Sequence, residues 1–438
     1  MHVRQIRIEN IRGFGSVDID LTRPGRGLAG WTVLAGRNGS GKSTFLKAIA
    51  LALAGPDAAR ALQETFSNWI KVGRNEASVI AWLDVSNEHG YDTLDFPDTG
   101  SIGWGLSWKQ PEPGREPKLS GLFNTSVADL EFGGPWEDNT LGWFAAGYGP
   151  YRRLSGHAAD AQRLMSGPAN IARVVSLFRE DASLVEGTVW LREMYLRRLE
   201  GNDSAAEVEK DLLRLLNDGL LPGDIHIEGI DSSGLRVRTP GAQLPLTELS
   251  DGYRTVAALV IDIVQYLYLA FGELSIDEGR HPTIPHEGVV LIDEVDLHLH
   301  VSWQKRIGFW LKRHFPNIQF IVTTHSPFVC QAADPRGLIR LPAPGEDRQV
   351  EHVSEDLYNT VVNGSADDAV LTELFGLDTP YSVESEELRD EVARIEAGLQ
   401  TGKATSEDEQ RLEELRSRLP QTPGTNIEQL LRKLTADA

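Results

Sequence analysis

Polar and apolar residues alternate over Arg4-Gln5-Ile6-Arg7-Ile8 and again over Ser16-Val17-Asp18-Ile19-Asp20-Leu21, predicting two half-buried strands joined by a turn. A continuous apolar run follows, Trp31-Thr32-Val33-Leu34-Ala35, then a glycine-rich stretch and a helix-like segment from Phe45 to Ala54. Ala77 to Val85 reads as a further strand, and the Gly-, Pro-, Trp- and Asp-rich region at 88–140 as short strands joined by turns. Leu141 to Arg153 predicts a strand running into a glycine–proline turn. Between 158 and 218 the spacing becomes helical: Ala172, Val175, Leu177 and Phe178 share one face, and Leu191, Tyr195, Leu196 and Leu199 another. No heptad is sustained there as a coiled coil requires, so a compact helical lobe is expected. A hairpin is predicted around Asp231-Ser232-Ser233-Gly234, then a long apolar helix opening at Ser250 and Asp251, both good N-cap residues, and running through Leu269. Gly288 to Ile292 and Asn317 to Thr323 read as buried strands on either side of a helix from Val301 to Phe315. Strands alternating with helices predict an α/β protein with a largely parallel sheet, its ligands at the carboxyl ends of the strands.

Composition narrows the classes. The chain has 438 residues, of which 41% are apolar, enough for two or three compact units. No apolar run is expected to approach a membrane span, and the N-terminus lacks the apolar region of a signal peptide. Cys330 is the single cysteine, which excludes an intrachain disulfide and a Cys-based zinc site and points to a cytoplasmic protein with no membrane contact. A formal charge of −21 argues against a surface that coats nucleic acid non-specifically, leaving a local basic groove or a DNA-handling partner open. From Tyr381 onward, charged stretches with apolar positions three or four apart predict a helical hairpin, with Pro420 and Pro423 beyond. A solvated tail and a docking element both fit it.

The chemistry is concentrated in Gly36-Arg37-Asn38-Gly39-Ser40-Gly41-Lys42-Ser43-Thr44, a G-x-x-x-x-G-K-[ST] pattern between a strand and a helix. The glycines let successive N–H groups converge on a phosphate at the positive end of the helix. Lys42 is expected to reach the β- and γ-phosphates and Ser43 to hold Mg2+, so a nucleoside triphosphate is the expected ligand. Three further motifs follow in order: Leu249-Ser250-Asp251-Gly252, Asp293-Glu294 at the end of a buried strand, and Thr324-His325 at the end of the next. Each is weak alone; the order and separations make them specific.

In these motifs, and in Ile8-Glu9-Asn10-Ile11-Arg12-Gly13-Phe14, Asp293 to His300 and Ile321 to Pro327, the chain resembles the ABC-type ATPases of the RecF/SMC/OLD group over roughly residues 3–345. More closely it is similar to the AAA15/AAA21-type ATPases of bacterial anti-phage operons, such as the ATPase subunits of the Septu and PARIS systems. The resemblance implies an ABC-type P-loop ATPase with an N-terminal antiparallel β subdomain, a mostly parallel core sheet, an inserted helical lobe and a C-terminal helical hairpin. The corresponding boundaries are 1–157, 158–222, 223–345 and 346–438.

It further implies ATP and Mg2+ as ligands, with Arg12, Asn38, Gly39, Gly41, Lys42, Ser43 and Thr44 on the nucleotide. Ser43 and Asp293 would serve the metal, Glu294 the attacking water, and His325 the γ-phosphate. Ser250 and Gly252 would close on the nucleotide of a second copy, giving homo-oligomers through ATP-sandwiched head-to-tail dimers. The signature departs from Ser-Gly-Gly at Asp251, a carboxylate that approaches the phosphate site or caps the helix. His300 stands where transporter ATPases carry an Asp. The Q-loop glutamine has no clear counterpart: Gln63 is the nearest candidate, with the Tyr148–Arg152 turn as the alternative. Arg152 is then either a nucleotide contact or a surface arginine.

No Toprim-like acidic cluster on buried strands is visible, Asp367-Asp368 included, so the expected role is an ATPase that gates a separate nuclease, HNH-type or Toprim-type. A RecF-like DNA clamp for recombination or repair is the alternative. A transporter ATPase fits less well, given the N-terminal hairpin and the His298-Leu299-His300 turn.

Overall fold

The computed structural model describes residues 1–23, 27–84, 102–112, 114–124, 134–137, 143–152, 159–221, 223, 225–232, 234–277 and 279–419. The N-terminal hairpin forms as β1 (His2–Glu9) and β2 (Ser16–Asp20), whose buried positions alternate as the sequence does. β3 (Gly30–Ala35) leads through the glycine-rich loop into α1 (Lys42–Leu62), and β4 (Glu76–Asp84), β5 (Ile102–Lys109) and β6 (Lys118–Asn124) follow. β1, β2, β4, β5 and β6 make a five-stranded antiparallel sheet in the order β2-β1-β4-β5-β6. Of the strands expected between 88 and 140, those at 85–101, 125–133 and 138–142 lie outside the described residues.

β7 (Ala145–Tyr148) is followed by α2 (Ala159–Met165), α3 (Ala169–Ala172), α4 (Val175–Phe178), α5 (Val185–Leu199) and α6 (Asp203–Asn217). A three-stranded sheet comes next, formed by β8 (His226–Asp231), β9 (Gly234–Thr239) and β10 (Ala242–Pro245). Then come α7 (Asp251–Phe271), β11 (Gly288–Ile292), α8 (Val301–Gln304), α9 (Ile307–His314), β12 (Ile318–Thr323), α10 (Pro327–Cys330), β13 (Leu338–Arg340) and β14 (Glu351–His352). The central sheet runs β14-β13-β3-β12-β11-β7, parallel except at β14.

Both faces of this sheet are covered, which is why its strands read as continuous apolar runs. Trp31 and Val33 of β3, Val290 and Ile292 of β11, and Phe320 and Val322 of β12 enter one core with α5, α6, α7 and α9. The alternate residues Leu34, Val289, Leu291 and Ile321 enter a second core with α1 and the antiparallel sheet. The two sheets are joined by Gln319, whose amide accepts from Val3 N–H at 2.7 Å and donates to Val3 C=O at 2.8 Å, as a neighbouring strand would. α7 corrects one expectation: its 21 residues are long and apolar enough for a membrane span. Its most apolar window is 78% buried inside the protein, as befits a core helix.

α1 extends beyond the expected Ala54 through a kink at Gly55, which has φ 90°. Pro56 has no N–H to give to the carbonyl four residues back, that of Ala52. The Trp136 indole N–H donates to that carbonyl instead, at 2.7 Å, so the helix resumes without a buried orphan.

The chain divides into two compact units, Met1–Gly376 and Leu377–Ala438. β14, α11 (Glu355–Asn363) and α12 (Ala366–Val370) belong to the first, and Val361, Ala369 and Leu374 enter its core. In the second, α13 (Val383–Gln400) has no fully buried residue, whereas α14 (Ser406–Arg418) buries Leu412 and Leu415. Arg411–Glu391 at 2.9 Å and Arg416–Glu396 at 2.6 Å tie the two helices together. Pro420 and Pro423 lie outside the described residues.

Candidate nucleotide-binding site

The loop after β3 curls over the start of α1. Gly41 occupies the N-cap position of α1 at φ 88°, and an added Cβ would lie 2.7 Å from the Phe14 ring, so both backbone and space require glycine. Lys42 is buried, its ammonium donating to the carbonyls of Gly36 at 2.7 Å and Arg37 at 3.2 Å. Burial lowers its pKa, while Asp293, Glu294 and Asp296 pull it back up. Ser40 Oγ is buried without a hydrogen-bond partner. An orphaned hydroxyl, a buried ammonium and the first N–H groups of a helix are a donor set that fits a polyphosphate. Asn38 and Gly39 stand exposed at the tip, and Ser43 and Thr44 are half-buried in the first turn of α1.

Arg12 comes to the same loop from the N-terminal hairpin. Its Nη1 donates to Thr44 Oγ1 at 3.3 Å and its guanidinium lies 5.0 Å from the Trp69 ring centre. Arg12, Phe14, Gly39, Thr44, Lys71 and Pro344 are among the residues around an adjoining cleft of about 610 Å³.

Asp293 and Glu294 follow the end of β11, flanked by β12 and β7. Thr323 Oγ1 donates to Asp293 Oδ1 at 2.5 Å and accepts from the Glu294 N–H at 2.7 Å. On the other side, Asp293 N–H donates to Tyr148 C=O at 2.8 Å. Glu294 takes a left-handed φ of 45°. Its pKa is raised by burial first, then by Asp293 and Asp296, against the opposing pull of Lys42 and Arg152. Thr324 Oγ1 donates to Asp296, and Ser326 Oγ donates to Gln304 Oε1 at 2.8 Å, bracing the turn that carries His325. The exposed His325 ring has its pKa lowered by partial burial and by Lys42, against Asp296 and Asp293. Lys42, Asp293, Glu294 and His325 therefore share one electrostatic neighbourhood at the carboxyl edge of the sheet. Mg2+ is usually held by one or two protein oxygens together with phosphates and water, and Ser43 with Asp293 would supply them.

Ser250 and Gly252 lie at the start of α7. Ser250 holds the N-cap position, but its side chain makes no capping bond. Asp251 is the first residue of the helix and pairs with Arg254 rather than capping. A Cβ on Gly252 would lie 2.7 Å from the His298 carbonyl, so this glycine packs against the turn after Glu294 and not against the P-loop of its own chain.

Other placements revise the reading of the sequence. Gln63 follows the last residue of α1, beyond the kink at Gly55, where its amide donates to the Thr65 carbonyl at 3.2 Å. The Tyr148–Arg152 turn instead adjoins Asp293. Arg152 is neither a surface residue nor placed on the phosphate loop: it is 2% exposed, and its guanidinium donates to main-chain carbonyls at 149 and 293–295. Asp368 is engaged with Ser365 in the capping box of α12. Thr323 and Asp296 were not singled out, although a hydroxyl and a carboxylate beside the Asp-Glu and Thr-His motifs were the available signals.

A family model described as "AAA domain, putative AbiEii toxin, Type IV TA system" matches residues 149–331, and another described as "AAA domain" matches 5–115. The chain is similar to a Septu protein PtuA of Bacillus mycoides (strain KBAB4), 32% identical over 325 residues, covering 74% of this chain and 38% of that protein. It is also similar to the "Retron Ec83 probable ATPase" of Escherichia coli, 44% identical over 95 residues, which are 22% of this chain and 16% of that one. The chain thus spans less than half the length of these relatives. A solved SMC head bound to the C-winged helix domain of ScpA aligns over 81% of this chain and 99% of its own, with 17% identity and a TM-score of 0.48. The chain thus carries AAA-domain matches over residues 5–115 and 149–331, the second spanning the inserted helices, and is similar to a Septu protein and to a probable retron ATPase.

Proposed function

We propose that the chain binds and hydrolyses ATP in a site completed by a second copy of itself, and that this ATPase gates a nuclease partner in bacterial anti-phage defence. The carrying observation is the shared neighbourhood of Lys42, Asp293, Glu294 and His325 around a loop built to receive a polyphosphate. Lys42 and the N–H groups of residues 39–44 hold the phosphates, with Asn38 and Arg12 at the rim. Ser43 and Asp293 hold Mg2+, which neutralises phosphate charge. Glu294, its carboxylate made more basic by its surroundings, orients and deprotonates the attacking water, and His325 contacts the γ-phosphate. Ser250 and Gly252 serve the nucleotide of the second copy, head to tail.

The partner reading draws on similarity to proteins named for Septu and retron systems and on the motifs, which account for an ATPase and not for DNA cleavage. A cytoplasmic complex with an HNH-type or Toprim-type nuclease is the form proposed.

Mixing Lys42→Ala with Ser250→Arg subunits tests the composite site. Each supplies what the other lacks, so the mixture should turn over ATP faster than either variant alone. No gain in any mixture refutes the head-to-tail arrangement. DNA cleavage with Mg2+ or Mn2+ by this chain alone would refute the gating role.

A further inference from the structure

Glu294 is an unusual carrier for a reactive carboxylate, because a non-glycine residue at φ 45° stays there only when its surroundings hold it. Those surroundings come from two flanking strands. From β12, Thr323 Oγ1 accepts the Glu294 N–H at 2.7 Å, and the Thr323 carbonyl accepts the Val295 N–H at 3.0 Å. From the segment after β7, Arg152 donates to the carbonyl side of the same turn. Its Nη1 reaches Gly149 C=O and Asp293 C=O, both at 2.9 Å, and its Nη2 reaches Glu294 C=O at 3.1 Å and Val295 C=O at 3.3 Å.

We infer that Arg152 is a positioning residue for the water-activating carboxylate, its guanidinium bridging the carbonyls of residues 293–295 and so fixing the left-handed turn that presents Glu294. Among the described residues its guanidinium donates to main-chain carbonyls, three of them in the turn, so it acts on the turn and not on the nucleotide. A planar fork with donors on two terminal nitrogens can span four carbonyls; a lysine ammonium, a single point with three donors, cannot hold the same set. The Gly149 bond makes this a clasp between strands, because β7 and β11 are parallel neighbours whose ends Arg152 joins.

The inference rests on the proposed role of Glu294, and the test separates the two. ATP affinity and single-turnover hydrolysis are measured for Arg152→Lys, Glu294→Gln and the double variant. A turn displaced by about 1 Å costs on the order of 100-fold in rate. Arg152→Lys should therefore lose about that factor in hydrolysis while binding ATP within about threefold of the parent, since its contacts leave the phosphate loop untouched. In the Glu294→Gln background, Arg152→Lys should change the rate by less than about twofold, because no base remains to be misplaced. A merely structural arginine would slow both backgrounds alike, and that result overturns the inference. So does loss of ATP binding in step with rate. If Glu294→Gln is slow and Arg152→Lys is not, the Arg152 inference alone falls; if Glu294→Gln hydrolyses at the parent rate, the reading of Glu294 falls and the inference with it. Should Arg152→Lys not be recovered folded, Arg152→Gln carries the same cycle.

Discussion

Asp262, on the core helix α7, offers a sharp test of the electrostatics. It is 1% exposed, its Oδ2 accepts from the Tyr148 hydroxyl at 2.8 Å, and its Oδ1 is buried without a partner. Burial pushes its pKa from 3.8 to about 7, with the Tyr148 bond pulling the other way. A carboxyl with a raised folded pKa gives stability that is fully present below the unfolded value and is lost as pH rises through the folded one. At about 1.4 kcal/mol per tenfold step in acidity, the raised pKa costs about 2 kcal/mol at pH 5, where only the unfolded chain ionises, and about 4 kcal/mol at pH 8.5, where both states do. Asp262→Asn keeps an oxygen to accept from Tyr148 and never ionises. Urea unfolding of parent and variant at both pH values, read as the difference between them, cancels every other titrating group. The variant should gain on the parent by about 2–3 kcal/mol between pH 5 and pH 8.5. A difference that does not change with pH would refute the assignment of a costly buried carboxylate.

Four further perturbations test other parts of the structure. Trp136→Phe removes the donor that satisfies Ala52 C=O beside Pro56 and should lower unfolding free energy by about 1–3 kcal/mol, read from denaturant midpoints; an unchanged midpoint refutes that account of the kink. Lys42→Ala should lose ATP binding, whereas Glu294→Gln should bind ATP and turn it over only at a small residual rate; equal loss of binding in both contradicts the two roles. Because the Glu294 pKa is raised above 4.5, the single-turnover rate should rise with pH through a midpoint above that value, and a midpoint below it would contradict the assignment. Deleting residues 377–438 should leave the melting temperature of the remaining unit nearly unchanged, since Met1–Gly376 is a compact unit by itself. The deletion should lower assembly size or release a co-expressed nuclease, and retention of both moves docking to the 158–218 helices.

The elements that were legible owe their signal to local pattern. β3 and the P-loop, β11 with Asp293-Glu294 and β12 with Thr324-His325 each carry an apolar run ending in polar residues, and the structure sets those ends side by side. What could not be read depends on partners far away in the chain. Gln319 inside β12 looks like a polar flaw until Val3, 316 residues away, supplies both its bonds. Gly55-Pro56 looks like the end of a helix until Trp136 supplies the missing donor. Arg152 left two readings open because its acceptors are carbonyls, which leave no trace in side-chain identity, and Asp293 is 141 positions away. β14, only two residues long, is too short to show periodicity, so the segment after 345 read as helix and loop with no buried strand.

α7 contacts the Asp293–His300 segment directly at one end and indirectly through its middle. At its first turn Gly252 has no room for a Cβ against the His298 carbonyl. Three turns along, Asp262 accepts from the Tyr148 hydroxyl, and the Tyr148 carbonyl accepts the Asp293 N–H. Close-packed contacts of this kind resist gradual deformation, so a displacement of the helix start is passed on instead of being absorbed. The residues expected to meet a second copy's nucleotide, Ser250 and Gly252, thus sit on the same rigid piece that places the carboxylates of their own subunit. A head-to-tail dimer built on that piece would couple its two sites through α7, without a dedicated linker between them.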